Sequence, residues 1–73
     1  MKQHRYEILI EDHLGDSWTE WFDGMTIRAE VDEHGQFTQT VLSGPMDQAA
    51  LHGILMRIRD LGLTLISVSR AAE

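Results

Sequence analysis

Apolar residues recur at helical spacing in one long segment, Leu51, Ile54, Leu55, Ile58 and Leu61, and so mark one stripe of an amphipathic helix. Its ends are written in the same stretch. Asp47 is a good N-cap, because its carboxylate can accept from the free backbone N–H groups of the first turn. Met46 and Leu51 stand at the two positions of a hydrophobic staple. Gly62 follows the last apolar position as a C′ residue, and Leu63 can fold back on Ile58 as a Schellman motif prefers. The spacing therefore predicts a helix over 47–61.

Elsewhere the period is two. Residues 6–11 read as a strand with Tyr6, Ile8 and Ile10 on one face, and residues 25–32 alternate without a fault, with Met25, Ile27, Ala29 and Val31 on the apolar side. Gly35 lies in a short turn and can take positive φ, so 36–43 returns as a third strand, antiparallel to the second, until Gly44-Pro45 ends it. Residues 64–68 make a fourth strand. A second sheet face is expected from Thr26, Arg28, Glu30, Thr38 and Thr40, with Leu9, Leu42 and Leu65 pointing the same way.

Between the first two strands, Ser17 and Glu20 have capping-box spacing and Gly24 can close a short helical turn over 17–23, with Trp18, Trp21 and Phe22 on one face. The order β, short helix, β, β, long helix, β fits two topologies. A ferredoxin-like βαββαβ arrangement uses the short helix as a crossover between parallel strands. A ββ-meander followed by βαβ treats it as a folded loop. Two helical turns rise only about 10 Å against about 23 Å for a seven-residue strand, which slightly favours the meander. Either way the fold class is α+β, with two layers. A four-stranded, mainly antiparallel sheet is covered on one face by one long helix, and residues 1–73 are expected to form a single domain.

At 73 residues the chain is near the lower limit for a core that holds a fold alone, so a partner subunit covering more apolar surface would help. There is no cysteine, hence no disulfide or thiolate metal site. No apolar run reaches membrane-spanning length and the start lacks a signal-peptide core, so a cytoplasmic location is expected. The net charge is −6, and residues 7–33 carry nine carboxylates against one arginine, Arg28. Such a half repels phosphate backbones, which argues against nucleic acid as a partner.

At Trp18-Thr19-Glu20-Trp21-Phe22-Asp23-Gly24 and at Asp47-Gln48-Ala49-Ala50-Leu51-His52-Gly53 the chain resembles a group of short prokaryotic proteins of about this size. They share a W-x-x-W-F-x-G element, a D-Q-A-A-L-H-G helix start and an R-I-R-D-L-G-L-like run, here Arg57 to Leu63. The resemblance implies a free-standing single-domain protein. It brings no catalytic residue, cofactor or partner with it.

Candidate chemistry is sparse. His4, His13, His34 and His52 form no metal-binding motif, although His13 and His34 would meet at one end of the sheet in the ferredoxin-like topology. No metal or other cofactor is expected. His52, on the flank of the helix stripe, is a weak candidate for a general base, with Ser67 or Ser69 as the nucleophile that would have to be brought to it. Trp18 and Trp21 can form an aromatic wall for a flat ligand, with Asp16, Glu20 and Asp23 nearby to suit a cation; the competing reading places these rings in the core. Opposite the apolar stripe lie Ala49, Gly53 and Met56, where an exposed helix would normally carry Glu and Lys. Small residues four apart allow close approach and Met adapts to a partner, so this strip is the candidate interface.

Together these features favour a non-catalytic, self-associating module, a homodimer that binds a protein or small ligand without nucleic acid or membrane. The alternative is a small enzyme whose site forms at a subunit interface near His52, Trp18 and Trp21.

Overall fold

The computed structural model describes residues 2–22 and 24–71, without the side chains of Asp16, Ser17 and Thr19. The elements are β1 (His4–Ile10), a 3-10 helix (Asp16–Trp21), β2 (Thr26–Val31), β3 (Phe37–Met46), α1 (Gln48–Asp60) and β4 (Leu65–Arg70). The four strands form one sheet in the order β2-β3-β1-β4, antiparallel at every pairing. This is the expected α+β architecture, with one helix on a four-stranded sheet.

The β2–β3 hairpin expected of a meander is present, and β1 joins it by pairing with β3. β1 and β2 are thus parallel with β3 between them, which is the ferredoxin-like order of the two that the pattern left open. The connection is long enough because the 3-10 helix rises about 2 Å per residue, more than an α-helix, and loops on both sides supply the rest.

Tyr6, Ile8 and Ile10 are buried on one face of β1 as their alternation predicts. The register places Ile8 opposite Leu42, and Leu42 opposite Ile27 on the other side, so one row of apolar side chains runs across three strands. Leu42 is fully buried in the core cluster, not on the second sheet face where the sequence pattern put it. Thr40 shares that burial. Its hydroxyl donates to the Asp12 carbonyl at 2.6 Å and lies 3.5 Å from the Leu14 N–H, so a buried polar group is satisfied by the chain that caps it. Ala29 and Val31 are exposed, because β2 is an edge strand with a single neighbour.

β3 does not end at Gly44-Pro45 but continues to Met46. Pairing with β2 stops at Ser43, so Pro45 lacks its N–H where no strand is left to accept it. Gly44 has a different reason to be small: a Cβ there would stand 3.1 Å from the Gly24 carbonyl oxygen. The chain entering β2 crosses directly over it.

The helix boundaries follow the sequence closely. Asp47 Oδ1 accepts from the Ala50 N–H at 2.8 Å, and Met46 and Leu51 are both buried in the core. At the other end Leu63 N–H donates to the Ile58 carbonyl and Gly62 N–H to that of Arg59. With Gly62 at φ +73°, these two bonds complete the Schellman motif. Asp47→Ala should lower stability by about 0.5–2 kcal/mol and Asp47→Asn by much less. Urea denaturation midpoints of the two variants test this, and equal midpoints would show that the cap is not holding the helix.

Candidate functional site, an apolar groove beside the helix

A groove opens where four segments meet. Trp21 ends the 3-10 helix, Met25 leads into β2, Pro45 and Met46 close β3, and α1 contributes Ala50, Gly53, Ile54 and Arg57. These helix positions are spaced i, i+3, i+4 and i+7, which is one face of a helix. The groove has a volume of about 270 Å³.

Trp21 is 49% exposed and forms one wall. Its ring stands 6.4 Å from that of Trp18, at 44°. Trp18 is half-buried against the core, and Phe22 is fully buried. The three aromatics therefore do not share a face as expected of an α-helical turn. With three residues per turn, a 3-10 helix stacks Trp18 and Trp21 and rotates the next position away. The capping-box partner Ser17 lies outside the described side chains.

Among the described residues Arg57 is the one charged residue lining the groove, and its Nη1 donates to the Trp21 carbonyl oxygen at 2.6 Å. This bond ties the helix to the aromatic wall. Of the carboxylates expected beside the tryptophans, Glu20 is exposed and lines no part of the groove; Asp23 and the Asp16 side chain lie outside the described residues. Among the described lining residues, the charge offered to a ligand is that of Arg57.

Gly53 borders the groove, while Ala49 and Met56, its companions in the candidate interface, are exposed and lie outside it. Sequence reasoning missed Ala50 and Arg57, because it followed the 49, 53, 56 strip and not the adjacent one at 50, 53, 54, 57. A Cβ at Gly53 would meet nothing within 4 Å. Gly53→Ala should therefore raise stability by about 0.5–1 kcal/mol through helix propensity. A fall in the thermal midpoint would mean that something packs on Gly53.

The histidines stay apart from this site. His52 is exposed on α1 and does not line the groove. Val68 packs against the core, so its neighbours Ser67 and Ser69 project from the other face of the sheet. The sheet stands between them and the helix that carries His52. His13 and His34 do lie toward the same end of the sheet. The ring of His13 packs on Phe37 at 4.7 Å and His34 pairs with Glu33 at 3.4 Å. Among the described residues no group of three or more His, Asp or Glu side chains is arranged to hold a metal, and no helix is long and apolar enough to cross a membrane.

The two tryptophans differ in exposure, and their emission should differ too. Trp21→Phe should leave a blue-shifted native spectrum from Trp18, and Trp18→Phe a red-shifted one from Trp21. Identical native maxima for the two variants would contradict the wall geometry.

Fold and groove together define a small α+β domain with an open, mainly apolar cleft beside its single long helix. The chain belongs to a family described as a domain of unknown function (DUF8691), whose model matches residues 5–69. No curated protein and no solved structure matches it.

Proposed function

We propose that this chain is a non-catalytic binding module of the cytoplasm, a homodimer that holds a small ring-bearing ligand with an anionic group in the groove between Trp21 and α1. One observation supports this most. Trp21 and Gly53, which the sequence marks for separate reasons and which lie far apart along the chain, line the same groove. The volume of about 270 Å³ suits a compact ligand, since an engineered apolar cavity of about 150 Å³ already takes benzene. Met25, Met46 and Ile54 supply the apolar surface, Trp21 a face for stacking, and Arg57 the charge that would favour a carboxylate. The W-x-x-W-F-x-G and D-Q-A-A-L-H-G elements each contribute a wall of this groove, and we take them as the family's signature for that reason.

The reading as an enzyme gains no support from His52, which stands outside the groove and across the sheet from Ser67 and Ser69. Thermal denaturation in a series of aromatic carboxylates and the matching amines tests the proposal, because a ligand bound to the native state raises the midpoint. The carboxylates should raise it and the amines should not. No shift with any carboxylate at millimolar concentration would contradict the ligand class.

A further inference from the structure

Among the described residues, the groove offers a charged ligand one guanidinium and little else. Apart from Arg57 and the Trp21 indole N–H, the lining side chains are apolar, and the backbone adds few donors. Pro45 has none. The Ala50 N–H is taken by the Asp47 carboxylate at 2.8 Å and the Met25 N–H by the Phe22 carbonyl at 3.0 Å. The N–H groups of Gly53, Ile54 and Arg57 lie inside α1, where they bond within the helix. From Ala50 to Arg57 the helix rises about 10 Å. A ligand lying along it would therefore carry its charge at one end, against Arg57.

Arg57 is itself constrained. Its bond to the Trp21 carbonyl, at 2.6 Å, sets the orientation of a planar head whose remaining N–H groups share one plane. That carbonyl ends the 3-10 helix, and Arg57 stands in the last turn of α1. Both features place partial negative charge beside the guanidinium, because helix ends expose carbonyl oxygens. The positive charge is thus partly balanced before a ligand arrives. The net charge of −6 on the chain adds a longer-range opposition that grows with the charge of an incoming anion.

We propose that this groove selects a planar, singly charged carboxylate and rejects the phosphate ester of the same ring, with Arg57 as the residue that sets the choice. The inference rests on the groove being a ligand site, as proposed above. A carboxylate matches the coplanar donors of a guanidinium as fork to fork. A phosphate monoester carries a charge of about −1.5 to −2 at pH 7 and spreads its acceptor oxygens tetrahedrally. One planar head cannot meet all of them, and the apolar lining supplies few donors for the rest. Its extra negative charge would face the carbonyl ends of two helices instead of a second cation. The ligand class is therefore a free aromatic acid, and phosphorylated ligands are turned away.

Three probes with one ring system test it on the intact chain: naphthylacetate, naphthyl phosphate and the neutral naphthylacetamide. Each is titrated at pH 7 and constant ionic strength while the Gly53 amide and Trp21 indole resonances are followed. Naphthylacetate should bind at least about ten-fold more tightly than either of the others. Arg57→Lys keeps the charge but not the fork, so it should shrink the preference for acetate over phosphate to within about three-fold. Phosphate that binds the wild type as tightly as acetate overturns the inference and leaves the ligand site standing. Equal binding by the amide, or a full preference retained in Arg57→Lys, does the same by showing that the guanidinium does not make the choice. The wild-type ranking decides alone if Arg57→Lys does not fold. No saturable shift with any of the three probes overturns the ligand site and the inference together.

Discussion

Phe22→Ala is expected to destabilise the protein by about 3–5 kcal/mol, the usual range for truncating a buried aromatic. Phe22 is a fully buried residue in the core cluster, in the segment that carries the chain across from β1 to β2. Its carbonyl also accepts the Met25 N–H at 3.0 Å, so the same residue closes the turn into β2. A domain of 73 residues has a total stability on the order of 5 kcal/mol. The variant should therefore be largely unfolded near room temperature, or lose most of its urea midpoint. Trp21→Ala, one residue away but 49% exposed, should cost far less. Equal losses for the two would mean that the 3-10 geometry does not set which ring is buried.

Gly44→Ala should destabilise by about 1–3 kcal/mol, the range for overpacking a tight site. The sign is the point, since replacing Gly by Ala inside a strand ordinarily gains about 0.5–1 kcal/mol. Here the added methyl would meet the Gly24 carbonyl oxygen at 3.1 Å and the Met25 Cα at 3.5 Å. Both are backbone atoms, which cannot rotate away. Gly44→Val should be worse. The contrast with Gly53→Ala, where the same change meets open space, isolates the contact from propensity. A Gly44→Ala protein as stable as wild type would show that the entry to β2 does not press on β3.

The helix was legible from end to end because its determinants are local. Asp47, Met46, Leu51, Gly62 and Leu63 act within a few residues of one another, and each does what its spacing implies. The phase of β1 was legible for the same reason. β3 was harder: Thr40 reads as a solvent-facing residue until its partner is known, and that partner is the Asp12 carbonyl from a distant loop. Assigning Thr40 outward carried Leu42 with it, because a strand has only two faces. Strand order likewise depends on the reach of the 11–25 connection, which no residue in it states. The groove is less legible still. Each wall has a local signal, in Trp21 and in Gly53, but their meeting depends on the crossover that the sequence left open. Arg57 carried no signal of its own, since an arginine near a helix C-terminus is ordinary.

The groove is the centre of this account, and one NMR titration tests it most directly. Naphthylacetate, an aromatic carboxylate, is added to the wild type and to Gly53→Leu while the amide and indole N–H resonances are followed. The Leu side chain would project into the groove without meeting backbone at its Cβ, so this variant should fold. The account predicts saturable shifts at Gly53, Ala50, Arg57 and the Trp21 indole in the wild type, and their loss in Gly53→Leu. Naphthylmethylamine should shift these resonances far less. Shifts confined to other surfaces, or binding that survives Gly53→Leu unchanged, would contradict it.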